Sequence, residues 1–320
     1  MTTDPPIVPV LVGPTASGKT DTALLLAMAL RGEVISADSR QIYRFLDIGT
    51  AKPAPAQLRS VPHHFIDERD PDESFSAGEF GAQARERIGR ILGRGRLPLV
   101  VGGSGLYVRS LVDGLFEGPG KQPLLRSVLE ERARAGGILE LLEELRSVDP
   151  AAARGASSAT PRRIIRALEV YHATGVPLST HQREARPTIE FTPMLLGLTW
   201  ERPELHARIE ARCEAMITDG LLAETERLEA MGYDRSCNAL NTVGYAEMTA
   251  YRRGELAWHD ALERFKRNTR RYAKRQMTWF RADRRIRWLP MSGSFGPGAA
   301  AEHIAAYYAD AVNNMRRVSS

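Results

Sequence analysis

Residues 13–20 match the phosphate-binding loop pattern G-x-x-x-x-G-K-[ST] at every fixed position. The apolar, β-branched run 7–12 before the loop predicts a buried strand, and the run 21–30 after it is rich in helix-forming residues. A loop between a strand and a helix presents backbone amides to a phosphate, so this feature constrains the chain to an α/β core. Lys19 would add a positive charge, and the Thr20 hydroxyl would be a ligand for Mg²⁺. The predicted phosphate-binding residues are Gly13, Pro14, Thr15, Ala16, Ser17, Gly18, Lys19 and Thr20.

Composition excludes several classes of protein. The 320 residues are 43% hydrophobic, enough for a large core, but no apolar run approaches the roughly 20 residues of a membrane span. The first residues include Asp4, Pro5 and Pro6, which do not resemble a signal peptide, so we expect a cytoplasmic protein without a membrane partner. Cys213 and Cys237 have neither metal-ligand nor redox spacing, and free buried thiols are expected.

Positive charge is concentrated near the carboxyl end. Between positions 264 and 287 the only acidic residue is Asp283. A one-sided concentration of this kind indicates contact with a nucleic-acid backbone. The basic residues there are Arg264, Lys266, Arg267, Arg270, Arg271, Lys274, Arg275, Arg281, Arg284, Arg285 and Arg287.

Two further strands should end beside the loop. The segment 33–38 predicts a strand that ends in Asp38, and ligands of open α/β sheets bind outside the carboxyl ends of the strands. Asp38 should therefore face the phosphate, although such a residue can also be a helix N-cap. The strand 97–101 ends in Gly102, Gly103 and Ser104, where a nucleotide hydrolase usually has a magnesium-binding Asp. This weakens an ATPase interpretation and predicts that the backbone approaches a ligand closely.

The chain divides into three parts by pattern. We predict a P-loop NTPase-like core with a parallel sheet, formed by residues 1–115 and 195–290. An all-helical insertion spans 116–194, and a linker with a dispensable-looking helix spans 291–320. Within the core, one long helix is expected over 203–231 and a final basic helix over 261–281. The buried stripe predicted for that final helix is Leu262, Phe265, Thr269, Tyr272, Gln276 and Trp279.

Six segments in this order closely resemble the bacterial tRNA dimethylallyltransferases of the IPP transferase family. They are 13–20, 36–43, 48–53, 102–107, 162–170 and 274–279. The resemblance implies transfer of a dimethylallyl group from dimethylallyl diphosphate to N6 of adenosine 37, beside the anticodon of a tRNA, with release of pyrophosphate. It further implies Mg²⁺ as cofactor, the anticodon stem-loop as partner and a monomer. The family commonly has Thr where this chain has Ser104, which keeps the hydroxyl.

The same resemblance implies roles for individual residues. Asp38 would be the general base, Ser104 would hydrogen-bond near the transferred group, and Arg212 would contact the pyrophosphate. Arg208 is a weaker candidate for that contact. The residues implied to bind tRNA are Asp38, Ser39, Arg40, Gln41, Ser104, Arg126, Arg162, Arg163, Ile164, Ile165, Arg166, Asn241, Thr242, Val243, Gly244, Tyr245, Lys274, Arg275, Gln276, Trp279 and Arg281.

Other functions are compatible with part of the sequence. A small-molecule kinase that uses ATP could employ Lys19, Thr20 and Asp38 in similar roles, but a small acceptor does not require a basic helix. A non-catalytic RNA-binding adaptor would not require Asp38 at the strand end. The basic residues of 162–166 could bind an external anion or could form a solvated helix face.

Overall fold

The computed structural model describes residues 5–115, 119–120, 122–154, 160–184 and 189–318. Its strands form one six-stranded sheet in the order β3-β2-β4-β1-β5-β6, in which every neighbouring pair is parallel. This confirms the predicted α/β class. The strands are β1 (Ile7–Val12), β2 (Gly32–Ser36), β3 (His63–His64), β4 (Leu97–Gly102), β5 (Thr192–Thr199) and β6 (Arg287–Pro290).

Helices account for most of the remaining described residues. They are α1 (Lys19–Ala29), α2 (Pro55–Ser60), α3 (Ala77–Gly93), α4 (Gly105–Val112), α5 (Pro123–Arg134), α6 (Ile138–Val148), α7 (Pro150–Arg154), α8 (Pro161–Thr174), α9 (Leu178–Glu184), α10 (Arg202–Thr218), α11 (Leu221–Ala230), α12 (Tyr245–Arg252), α13 (Trp258–Arg281) and α14 (Pro297–Val318). The single helix predicted over 203–231 is therefore two helices. Gly220 separates them with φ +101°, a left-handed conformation that ends α10. Among the described helices, none combines the length and the apolar run that crossing a bilayer requires.

The sheet is covered on both faces, as alternation along its strands dictates. In β1, Val10 and Val12 belong to one buried cluster, which also contains residues of α3, α4, α10 and α13. Leu11 belongs to a second cluster, which contains residues of α1 and α14. Parallel strands that are buried on both faces read as continuous apolar runs, which is why the strands were recognisable in the sequence.

The structure divides into two compact units. One comprises Met1–Val112 with Ile189–Ser320 and contains the sheet; the other comprises Asp113–Thr188 and is helical where described. The helical unit has a core of its own, built from α5, α6 and α8. The predicted boundaries at 115/116 and 194/195 lie near these divisions. Residues 116–118 of the predicted junction lie outside the described residues.

The helix that was expected to be dispensable contributes to the core. Ala300, Ala301 and Ile304 of α14 are buried at 5% exposure or less, in the cluster that contains residues of α1. Sequence analysis missed this packing because the Gly- and Pro-containing segment before the helix resembles a linker.

Shortening a side chain on this buried face of α14 should destabilise the protein. We expect Ile304→Ala to lower the free energy of unfolding by about 2–5 kcal/mol, because it leaves a cavity under α14. Urea denaturation followed by circular dichroism measures the change. The control is Glu302→Ala, an exposed position of the same helix, which should change stability by less than about 0.5 kcal/mol. Equal effects of the two substitutions would contradict the packing.

Candidate active site

The phosphate-binding loop joins β1 to α1 and is held in shape by distant residues. Gln276 Oε1 accepts a hydrogen bond from the Thr15 amide at 2.8 Å. Arg208 Nε donates to Ala16 O at 2.9 Å, and Trp200 Nε1 donates to Ser17 O at 3.0 Å. The amide of Thr15 is thus already bonded within the protein. At the start of α1, the amides of Lys19 and Thr20 have no partner inside the helix and are available to an anion.

A cavity of about 320 Å³ opens beside this loop, at the carboxyl ends of the strands. It brings together residues from eight separate parts of the sequence. Thirteen predicted site residues line it: Thr15, Lys19, Thr20, Asp38, Ser39, Arg40, Gln41, Arg212, Asn241, Thr242, Val243, Arg275 and Gln276. Other residues that line it include Gly49, Thr50, Pro53, Cys213, Met216, Phe265, Thr269 and Tyr272. Ser104 follows the lining residue Gly103 but does not itself line the cavity.

Lys19, Arg212 and Asp38 interact electrostatically at the cavity. The pKa of Lys19 is lowered to about 7, chiefly by burial and then by the positive charge of Arg212, while the Asp38 carboxylate acts in the opposite direction. Burial also lowers the pKa of Arg212, while Asp38 raises it. Lys19 Nζ donates to Pro14 O at 2.7 Å, which keeps the ammonium against the loop. A site with an excess of buried positive charge is suited to a polyanion.

Asp38 lies two residues beyond β2, as the strand-end rule predicts. Its Oδ1 accepts a hydrogen bond from the Arg40 amide at 2.8 Å, so the carboxylate caps a tight turn and not a helix. This bond fixes the orientation of the carboxyl group while the side chain lines the cavity. The position is that of a base able to accept a proton from a bound substrate.

The glycines at the end of β4 are required by close contacts within the protein itself. A Cβ on Gly102 would lie 2.1 Å from Ala37 O, and a Cβ on Gly103 would lie 2.1 Å from Gln276 Nε2. The Gln276 Nε2 group donates to Gly103 O at 3.0 Å. The close approach is therefore to other parts of the protein, although Gly102 and Gly103 also line the cavity. Gln276 joins the phosphate-binding loop to the end of β4.

Several residues predicted to bind RNA have buried side chains. Ile164 and Ile165 lie in the core of the helical unit at 1% and 4% exposure. Tyr245 is fully buried and donates its hydroxyl to Glu224. Gln276 is 6% exposed, and both ends of its amide are bonded to backbone. These side chains support the fold. A family motif marks positions without separating residues that contact RNA from residues that hold the structure.

The predicted arginines of the helical unit fall into two groups. Arg166 Nη1 donates to Glu169 at 2.9 Å, and Arg126 Nη1 lies 3.5 Å from the same fully buried carboxylate. These two neutralise a buried charge inside the unit. Arg162 and Arg163 at the start of α8 are exposed, and the described residues provide no ion pair for either.

The basic residues of α13 also fall into two groups, those in ion pairs and those without one. Lys266 and Arg270 form ion pairs with Glu214 and Glu210 of α10 at 2.8 and 2.7 Å. Exposed basic residues without an ion pair in the described part of the chain are Arg264, Arg267, Arg271, Lys274, Arg275 and Arg281. Trp279, predicted as buried, is 36% exposed. Its indole lies against Gly105, where a Cβ would come within 2.1 Å of the ring.

Sequence analysis missed two contributors to the site. One is the wall formed by Phe265, Thr269 and Tyr272, which was predicted as the buried stripe of α13 and in fact borders the cavity. The other is Glu224, a buried carboxylate on α11 that bonds the loop 47–49. No local signal distinguishes Glu224 from the other acidic residues of its helix.

Comparison with known proteins identifies the family. Residues 41–283 match the family model of the IPP transferases. The chain is 46% identical over 304 residues to a tRNA dimethylallyltransferase of Desulforudis audaxviator, which covers 95% of this chain and 98% of the relative. It is 45% identical over 297 residues to that of Pelotomaculum thermopropionicum, which covers 92% of this chain and 94% of the relative.

Comparison with solved structures points to the same family. The full-length tRNA isopentenylpyrophosphate transferase of Bacillus halodurans is 37% identical with a TM-score of 0.72, over 99% of both chains. A eukaryotic dimethylallyltransferase crystallised while acting on tRNA is 27% identical with a TM-score of 0.77, over 97% of this chain and 80% of that one. These likenesses favour the prenyltransferase over the kinase and the adaptor. The chain belongs to the IPP transferase family.

Proposed function

We propose that this protein transfers the dimethylallyl group of dimethylallyl diphosphate to N6 of the adenosine beside the anticodon of a tRNA. The observation that carries the proposal is the meeting of Lys19, Asp38 and Arg212 around one cavity. That combination offers a cationic site for a diphosphate and a carboxylate for a proton in the same space. Relatives named tRNA dimethylallyltransferase at 45–46% identity support it.

The chemistry assigns a separate task to Asp38. N6 attacks C1 of the isoprenoid, the bond from C1 to the bridging oxygen breaks, and pyrophosphate departs with that electron pair. Asp38 takes the proton that N6 loses, so charge balances at both ends of the reaction. The adenosine must first leave its stack to reach the cavity, as bases do in enzymes that modify them.

The leaving group is stabilised at the other end. Negative charge that grows on the pyrophosphate is met by Lys19, by the first amides of α1 and by Arg212. Arg208 instead supports the loop by donating a hydrogen bond to Ala16 O.

A Mg²⁺ ion fits this arrangement. Within the described residues no group of three or more His, Cys, Asp or Glu side chains could hold a metal, but Mg²⁺ bound with a diphosphate needs few protein ligands. Thr20, whose side chain borders the cavity, would be the ligand from the loop. The ion would supply additional positive charge to the diphosphate. Cytoplasmic location and a monomeric state stay predictions.

A direct test uses the whole protein with Mg²⁺, dimethylallyl diphosphate and an anticodon stem-loop that carries the target adenosine. Mass spectrometry of the RNA should show one added prenyl group. A stem-loop with guanosine at that position is the control and should stay unmodified. An unmodified adenosine substrate under these conditions, with ATP consumed instead in a parallel reaction, would overturn the proposal.

The exposed face of α13 makes a separate prediction about RNA affinity. Lys274→Ala should weaken anticodon stem-loop binding and reduce the slope of log K against log salt by about 0.7–0.9, the contribution of one phosphate contact. The matched control is Lys266→Ala on the same helix. Because Lys266 is paired with Glu214, its loss should leave the slope unchanged. Fluorescence anisotropy at several salt concentrations measures the affinity and the slope for each variant. Equal slopes for Lys274→Ala and the parent would show that Lys274 does not contact an RNA phosphate.

A further inference from the structure

The carboxylate of Glu224 on α11 is buried at 2% exposure and organises a loop of the cavity wall. It accepts hydrogen bonds from the backbone amides of three consecutive residues, Asp47, Ile48 and Gly49, at 3.0–3.2 Å. It also accepts one from the hydroxyl of Tyr245 at 2.6 Å. A buried carboxylate needs partners of this kind, and here they are chiefly the loop backbone.

Tyr245 shapes the same loop by packing. Its ring lies so close to Gly49 that a Cβ there would come within 2.5 Å of the ring carbons. Burial raises the pKa of the Tyr245 hydroxyl, and the Glu224 carboxylate raises it further. The hydroxyl therefore stays protonated and remains a donor to Glu224.

The far side of the loop is bonded to the segment that carries the proposed base. Gln41 Nε2 donates to Thr50 O at 3.2 Å and to Ala51 O at 3.1 Å. Gln41 Oε1 accepts in turn from the Ser36 hydroxyl at 3.0 Å. Gln41 is three residues after Asp38, so a continuous set of hydrogen bonds runs from Glu224 through the loop to the end of β2.

We infer that Glu224 and Tyr245 are positioning residues that fix loop 47–51 and, through Gln41, the segment of Asp38 in the reactive geometry. Neither residue lines the cavity, whereas Gly49 and Thr50 of the loop do. Their effect on the reaction is therefore transmitted, and a displacement of about 1 Å at reacting groups can cost on the order of 10²-fold in rate. The inference rests on the proposed function for its kinetic consequence only.

The test uses two conservative variants. Glu224→Gln places an amide N–H₂ donor opposite loop amides that are also donors, so some of the hydrogen bonds that hold the loop are lost. The resulting displacement should lower kcat for prenyl transfer about 10–100-fold. KM for dimethylallyl diphosphate should change less than about threefold, because the phosphate-binding loop is untouched. Tyr245→Phe keeps the ring against Gly49 and removes one donor, so its loss of kcat should be smaller. Hydrogen exchange of the loop 47–51 amides should accelerate in the same order.

A matched control separates positioning from general destabilisation. Glu33 is another buried carboxylate, 5% exposed and paired with Arg94 and His64, and among the described residues no hydrogen bond or ion pair joins it to loop 47–51. Glu33→Gln should lower the melting temperature at least as much as Glu224→Gln but leave kcat unchanged. Equal kcat losses at Glu33 and Glu224, or a folded Glu224→Gln with parental kcat and unaltered exchange, would overturn the inference.

Failure of the proposed function would give a different result. In that case the parent protein would form no prenylated RNA. Hydrogen exchange would still decide whether Glu224 fixes the loop, since it requires no substrate. Unchanged exchange of amides 47–49 in Glu224→Gln would reject the inference independently of the reaction.

Discussion

Asp38→Asn is expected to lower kcat for prenyl transfer by about 10²–10⁴-fold, the usual contribution of a positioned general base. The substitution is nearly isosteric, and the amide oxygen can still accept the hydrogen bond from the Arg40 amide, so the turn after β2 should persist. The neutral amide cannot take a proton from N6. Single-turnover measurements with bound stem-loop isolate this step from product release.

Binding assays complete this test of Asp38. Affinity for the stem-loop and for dimethylallyl diphosphate should stay within a few-fold of the parent, and Asp72→Asn, an exposed carboxylate remote from the cavity lining, should retain full kcat. A rate for Asp38→Asn within threefold of the parent would assign the proton to another acceptor.

The affinity for dimethylallyl diphosphate should fall about tenfold per pH unit above pH 7, through Lys19. Burial places the pKa of Lys19 near 7 in the free protein. A bound diphosphate favours the charged form and raises that pKa, so above pH 7 binding must take up a proton. Below pH 7 the lysine is already charged, and its contribution to affinity is constant. The effect therefore has one sign: affinity is lost as pH rises.

Isothermal titration calorimetry without RNA checks this prediction between about pH 6 and 9. Two buffers with different ionisation enthalpies give the number of protons taken up, which should approach one for the parent. Lys19→Met should bind about 10–150-fold more weakly at pH 6, the value of a hydrogen bond to a charged group. Any pH dependence that Lys19→Met retains belongs to the ligand or to another group of the protein. Identical pH profiles for the two proteins would show that Lys19 does not titrate in this range.

The parts of the site that sequence analysis located are those encoded locally. The phosphate-binding loop is a contiguous motif between a strand and a helix, and Asp38 follows from the rule that strand ends face the ligand. Gln276 was placed on the correct helix and in its buried stripe, yet its bond to Thr15 joins residues 261 positions apart. No periodicity encodes such a partner.

The errors have equally physical causes. Helical periodicity predicted that Trp279 belongs to the buried stripe. At this end of α13 the position is partly exposed, and the indole packs against Gly105. Ile164 and Ile165 fall inside a basic motif and were read with it, although their apolar side chains belong to the core of the helical unit. Burial at those positions depends on α5 and α6, whose packing the motif does not describe.

The bond between Gln276 and Thr15 has a consequence for biosynthesis. The phosphate-binding loop leaves the ribosome long before α13, which begins at Trp258. The central strand β1 likewise cannot pair with β5 until β5, which begins at Thr192, has been made. A nascent chain halted before α13 would carry the complete loop motif but would lack Gln276, which accepts the hydrogen bond from the loop. The ability to hold a diphosphate should therefore arise only after α13 has been made, and shortened products that lack α13 should not sequester dimethylallyl diphosphate.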